Sequence, residues 1–174
     1  MLGNRHTAGN RIALGIFLDN RLYNGIGQAG EFGHTTIAMD GPLCRCGRRG
    51  CLEAMASSAV LQKEAGNMSL GKIIEKAGDG DARLLGIFSR TGRYLGLGIV
   101  NLINIFNPAL IILGGELAQA GDLILAPIKR IVKEEALNRF SREAVIVLTK
   151  LGPLAGARGA AALILEKKFD ADYA

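Results

Sequence analysis

All three cysteines and one of the two histidines of this 174-residue chain fall between positions 34 and 51. They run His34, Cys44, Cys46, Cys51, a pattern of H-x9-C-x-C-x4-C. Thiolates and imidazoles are good zinc ligands, and structural zinc takes four of them in a closed tetrahedron. These residues supply that number with none left over. A chain that folds back within five residues to bring Cys46 and Cys51 to one ion needs positions free of a Cβ, which Gly47 and Gly50 provide. Two other fates are open to the cysteines. They could be small buried hydrophobes, but three within eight residues, flanked by glycines and arginines instead of an apolar run, are hard to place as core. A disulfide has no support from an odd cysteine count without a signal peptide. Because C-x-C is a less usual bite than C-x2-C, free structural or redox thiols stay open as the alternative to zinc.

The string Gly30-Glu31-Phe32-Gly33-His34-Thr35-Thr36-Ile37, followed by Gly41-Pro42-Leu43-Cys44-Arg45-Cys46-Gly47-Arg48-Arg49-Gly50-Cys51-Leu52-Glu53, resembles the signature of the ROK family. That family groups bacterial sugar kinases, sugar-responsive transcriptional repressors and uncharacterised relatives. The likeness runs from about Ile12 to Glu166. It implies that His34, Cys44, Cys46 and Cys51 bind zinc, and that Glu31, His34 and Glu53 contact a sugar. The chemistry suits that assignment, since an ionised carboxylate offers about four lone-pair directions to hydroxyl protons. A metal-bound imidazole whose second nitrogen is free can also couple the ion to a sugar pocket. Without the motif, Glu31 and Glu53 would read as solvated surface charge.

The elements that must position these groups alternate between strand and helix. Residues 1–10 are polar and aperiodic, a loose lead-in. Ile12 to Leu18 is apolar, Asp19-Asn20 is a turn signal and Arg21-Leu22-Tyr23 begins a return strand, so a hairpin is expected. Asn24 to Gly30 carries three glycines and must be loop, delivering Glu31; a short strand, His34 to Ala38, leads into the cysteine loop. Leu52 to Ala65 is expected as one helix ended by Gly66-Asn67. A second follows from an N-cap at Ser69 to Ala77. Apolar residues at helical spacing from Asp81 to Phe106 predict a long, mostly buried helix, stopped by Asn107-Pro108. Ala109 to Leu113 reads as a buried parallel strand ending in Gly114-Gly115. Ala120 to Asn138 reads as an amphipathic helix, Ala144 to Thr149 as a strand, and Ala155 to Lys167 as a small-residue helix able to pack on a sheet.

This is an α/β layer pattern. The resemblance implies more, an actin-like or ribonuclease H-like fold of which residues 1–174 form only the second, carboxy-terminal domain, with the knuckle inserted and 31–53 as sugar and zinc motif. No counterpart appears of the family's D-x-G-x-T phosphate loop or of its Asn-Asp pair, whose aspartate is the catalytic base. Where family kinases carry a G-T-G-I-G turn, this chain has Gly9-Asn10-Arg11-Ile12-Ala13, so the amide cradle for phosphate is degraded. Gly114 and Gly115 match the family's nucleotide-side turn, at a strand end where α/β ligands sit, although a plain strand-to-helix connection explains them equally.

The expected function is the sugar- or phosphosugar-binding portion of a ROK-type transcriptional regulator, a zinc-stabilised homodimer that reaches DNA only through a missing amino-terminal domain. The alternative is the carboxy-terminal half of a sugar kinase, which would use ATP and Mg; catalysis by this chain alone is not expected, because base and first phosphate loop are lacking. Nucleic-acid binding by the knuckle is a third class, raised by Arg45, Arg48 and Arg49, yet the segment lacks interleaved aromatics for base stacking. The net charge of +5, from 21 basic against 16 acidic residues, permits an acidic partner without demanding one. An apolar content of 49% suffices for a real core. No run of eighteen apolar residues occurs, and the chain reads as soluble and cytoplasmic, without membrane contact.

Overall fold

A computed structural model describes residues 11–137, 143–152 and 155–170, with side chains to 165 in the last segment. The lead-in 1–10, and with it Gly9 and Asn10, lies outside the described residues, as does Asn138.

The hairpin is present but short. Strands β1 (Phe17–Leu18) and β2 (Arg21–Leu22) pair antiparallel, Phe17 opposite Leu22. Asp19 and Asn20 take φ of +50° and +61°, the two left-handed residues of a type I′ turn. The rest of the expected first arm turns toward the cysteine loop instead: the Leu14 N–H donates to Gly30 O (2.8 Å), and Ile12 O accepts from the Gly33 N–H (2.9 Å). The strand expected over His34 to Ala38 is replaced by a 3-10 turn, Phe32–His34, and a single bridge between Thr36 and Cys51. Its partner is a curled loop, not an extended strand, so the ladder stops after one rung.

The single helix expected over 52–65 is two, α1 (Leu52–Ala56) and α2 (Ser58–Glu64). Ser57 between them is extended (ψ 158°), and its Oγ accepts from the Val60 N–H at 3.4 Å, capping α2. A serine that can cap competes with helix continuation, and here the cap wins. Helix α3 (Leu70–Gly78) starts after Ser69, whose side chain makes no capping bond. Helix α4 (Ala82–Phe106) is capped by Asp81, whose Oδ1 accepts from the Leu84 N–H at 3.1 Å. It ends on Asn107 in the left-handed region (φ +43°), with Pro108 behind it.

Strand β3 (Leu110–Leu113), a 3-10 turn (Glu116–Ala120), α5 (Asp122–Glu135), β4 (Val145–Leu148) and α6 (Ala155–Asp170) complete the chain. β3 and β4 are parallel, in register from Leu110–Val145 to Leu113–Leu148. Ile111 and Ile146 point into a core shared with Leu61, Ile73, Leu84 and Phe88. The opposite face is open, so β3 is not the fully buried strand expected: Leu110 and Ile112 are 50% and 59% exposed. Alternate side chains of a strand face opposite ways, and the described helices cover one face only. Nor does α6 pack on the sheet. Its side chains from Gly156 to Leu165 are exposed, Leu163, Ile164 and Leu165 among them. No described helix is long and apolar enough to cross a membrane.

Helix α4 is the beam against which the rest is set, and its glycines decide how closely. A Cβ on Gly92 would lie 2.5 Å from Pro127 Cγ, and one on Gly96 would lie 2.7 Å from Ile131 Cβ, both on α5. A Cβ on Gly98 would meet Phe32 Cζ at 2.8 Å and Leu52 Cδ2 at 2.9 Å, the residues beside Glu31 and Glu53. Gly86, on the same helix, has open space. Gly96→Val should therefore overpack the crossing and destabilise by about 1–3 kcal/mol, whereas Gly86→Ala should stabilise by up to about 1 kcal/mol through helix propensity. Urea midpoints of the two variants should move in opposite directions.

Candidate metal centre

The knuckle is shaped by backbone bonds before any side chain is considered. Leu43 and Arg49 form a bridge, the Cys44 N–H donates to Arg48 O (2.7 Å) and the Gly47 N–H donates to Cys44 O (2.9 Å). Gly50 has φ +69°, and a Cβ there would fall 1.5 Å from Ala38 O, so only glycine fits where the loop folds back on residue 38.

This backbone brings the four expected ligands together. Single donor atoms of His34, Cys44, Cys46 and Cys51 all lie within 4.8 Å of one another. Cys44 Sγ is 3.6 Å from His34 Nδ1, and Cys46 Sγ is 3.6 Å from Cys51 Sγ. A tetrahedron with Zn–S of about 2.3 Å and Zn–N of about 2.0 Å has S···S edges near 3.8 Å and S···N edges near 3.6 Å. Two of the six edges, Cys44–His34 and Cys46–Cys51, match these lengths and the others lie within 4.8 Å, so the donor set could hold a four-coordinate ion of the zinc class.

Electrostatics point the same way. Cys46, at the exposed rim, is held down to about 6, first by the Arg48 backbone N–H and then by the Arg48 guanidinium. Cys51 is pushed up to about 12 by burial, then by sharing hydrogen bonds with Cys46 and Cys44. One sulfur is thus ready as a thiolate while the innermost resists ionisation, and a cation among them would reverse that resistance.

Each arginine of the loop holds a group of the loop or its neighbour. Arg48 Nη2 donates to His34 O at 2.8 Å, Arg49 Nη1 to Gly41 O at 3.4 Å, and Arg45 Nε to Glu53 Oε1 at 2.7 Å. Each of the three cations thus has a bracing role within the fold.

The two carboxylates sit differently. Glu31 is exposed at the rim, its Oε2 3.9 Å from His34 Nε2, the nitrogen left over when Nδ1 faces the sulfurs. Glu53 is only 5% exposed, on α1, and Oε2 accepts from the Ile12 N–H at 3.1 Å while Oε1 takes Arg45. Sequence reading did not anticipate either partner of Glu53. An arginine lodged between two candidate ligands, eight residues before a glutamate, was the available signal for one; the Ile12 amide had none, because it depends on how the chain returns.

Next to this loop lies a cavity of about 290 Å³. Arg11, Ile12, Ala13 and Leu14 line one side, and Gly114, Gly115 and the turn after them line the other, over Ile99 and Ile128. Gly115 has φ +82°, a conformation that favours glycine. The structure thus brings both glycines and residues 11–14 to one cavity, and no signal within either segment announces the pairing.

Comparisons with known proteins bear on the family. The model of the ROK family matches residues 7–167. The xylose repressor of Bacillus spizizenii is 34% identical over 164 residues, covering 91% of this chain and 43% of the repressor. The glucokinase of Halalkalibacterium halodurans is 31% identical over 183 residues, covering 93% and 56%. Among solved structures, a ROK family glucokinase from Streptomyces griseus, crystallised with glucose and AMPPNP, superposes with a TM-score of 0.76 at 33% identity, over 86% of this chain and 55% of that one. A ROK family transcriptional regulator, a homolog of the E. coli MLC protein, gives 0.74 at 32%, over 80% and 39%. The chain spans about half the length of these relatives. With a family model over most of its length and repressors and glucokinases alike among its relatives, the chain belongs to the ROK family.

Proposed function

We propose that this chain is the sugar-sensing, carboxy-terminal part of a ROK-type transcriptional regulator, the second domain of an actin-like fold, with a zinc ion organising a site for a sugar or phosphosugar. The observation that carries it is the four-donor cluster with Glu31 against the outer nitrogen of its histidine. Zinc would be held by His34, Cys44, Cys46 and Cys51, and its contribution is to fix the loop and the orientation of His34. Glu31, with His34 and Glu53 beside it, then accepts hydroxyl protons from the ligand. Glu53, half of whose lone pairs are taken by Arg45 and Ile12, has the remainder for that contact. Cytoplasmic location, a homodimeric state and DNA binding through an amino-terminal helix-turn-helix belong to the same reading.

The regulator is preferred to the kinase because Arg11 and Ala13 stand where glycines would let backbone amides approach a phosphate. The kinase reading draws on the cavity at Gly114 and Gly115, which would take ATP with Mg beside a sugar supplied to the first domain's base. The intact mass and amino-terminal sequence of the protein from its source cells separates the two. A longer chain opening on a helix-turn-helix supports the regulator, and one opening on a phosphate loop supports the kinase.

Two expected outcomes follow for the site. Purified protein should carry about one zinc per chain, and Cys46→Ser should lose it with a fall in thermal midpoint, because metal binding is coupled to folding of the loop; atomic absorption of a fully folded, metal-free wild type would sink the metal reading. Glu31→Ala should retain the zinc but weaken sugar binding about tenfold or more, as expected on losing hydrogen bonds to a charged acceptor. Calorimetry with glucose and with xylose reads this out, and unchanged affinity for a sugar that the wild type binds would remove Glu31 from the site.

A further inference from the structure

We propose that Glu53 is a positioning residue that ties the metal knuckle to the wall of the neighbouring cavity, so that metal loading and cavity shape are coupled. The proposal rests on the metal reading above and is independent of whether Glu53 also touches a sugar.

Glu53 has one oxygen on each structure. Oε1 takes Arg45, which stands between the candidate ligands Cys44 and Cys46; Oε2 takes the amide of Ile12, which lines the cavity. Residues 11–14 belong to no strand among the described residues. Their backbone is held instead at Ile12 N by Glu53, at Ile12 O by the Gly33 N–H and at Leu14 N by Gly30 O. Gly33 immediately precedes the ligand His34, so a second of these three ties also ends on the site loop. Among the described residues, these three backbone ties of the cavity wall are not part of a sheet. The wall is hung from the segment that carries the metal ligands.

The energetics give the link a direction. Glu53 is nearly buried, and a buried carboxylate is tolerated only while its partners stay in place. Arg45 stays in place only while the loop between Cys44 and Cys46 is closed. If the loop relaxes on metal loss, the guanidinium leaves, the carboxylate follows it toward water, and the Ile12 amide loses its acceptor. Coupling of this kind is reciprocal, so a ligand that settles the wall of the cavity would also tighten the hold on the metal.

The experiment is amide exchange, followed by mass spectrometry, on the full chain with stoichiometric zinc and after a chelator, with zinc content measured on each sample. In wild type, removal of zinc should speed exchange in peptides covering residues 11–16 about tenfold or more, while peptides from Leu84 to Ile103 stay protected and show that the fold is intact. In Glu53→Ala, exchange at 11–16 should be fast with or without zinc, so that the response to metal disappears. Arg45→Met, which keeps the aliphatic stem, should reduce that response with the fold intact, and serves if Glu53→Ala does not fold. A wild type whose 11–16 peptides exchange alike with and without zinc overturns the coupling. So does a Glu53→Ala protein, or failing that an Arg45→Met protein, that keeps the full zinc response, because then Glu53 does not transmit it. A wild type that binds no zinc overturns the metal reading itself, and the metal content reveals that before any exchange is measured.

Discussion

Three sulfurs and an imidazole are gathered within 4.8 Å of one another, and the loop is built around that gathering. Buried thiols resist ionisation, and thiolates repel one another; only a cation turns both costs into attraction. The local backbone is spent on making this gathering possible. Gly50 folds over Ala38 where no side chain fits, Cys44 and Arg48 close the turn, and Arg48 and Arg49 hold carbonyl oxygens on either side. From that one constraint follow the burial of Cys44 and Cys51, the exposure of Cys46 and the orientation of His34 toward Glu31.

The knuckle would have little to act on without the long helix beneath it. Gly98 lets Phe32 and Leu52 lie so close against α4 that a Cβ there would push their side chains aside, so residues adjoining both carboxylates are seated on the same rigid element. Six positions earlier on the helix, Gly92 does the same for Pro127, and Gly96 for Ile131, drawing in α5. The Gly114-Gly115 turn precedes α5 and the Arg11–Leu14 segment hangs from the site loop, so the cavity between them inherits its dimensions from how closely α4 accepts its neighbours. Metal loop and cavity are thereby separate in sequence but adjacent in space.

Family membership and function part company at this point. A repressor and a glucokinase match this chain at nearly the same identity, 34% and 31%, so likeness over this length shows the family and not which of the two activities goes with it. What separates them is phosphate chemistry and the elements joined to this half. Arg11 and Ala13 bear on the former, since a side chain at either position changes what backbone amides can approach.

The gathering of His34, Cys44, Cys46 and Cys51 was legible in the residues alone, because donor type, number and spacing are local. So were the turn at Asp19-Asn20, the stop of α4 at Asn107-Pro108 and the existence of the strands at 110–113 and 145–148, each governed by short-range backbone preference or an apolar run. Where local reading went astray, a competing partner decided. Ser57 chose to cap instead of continuing a helix, and the 35–38 segment met a curled loop and could not extend. Leu110 and Ile112 stayed exposed because a strand buries only the face that something covers. The partners of Glu53 lay beyond any such reading. One carboxylate reaches a guanidinium eight residues away and an amide forty-one residues away, and only the folded path of the chain could place those donors on its two oxygens.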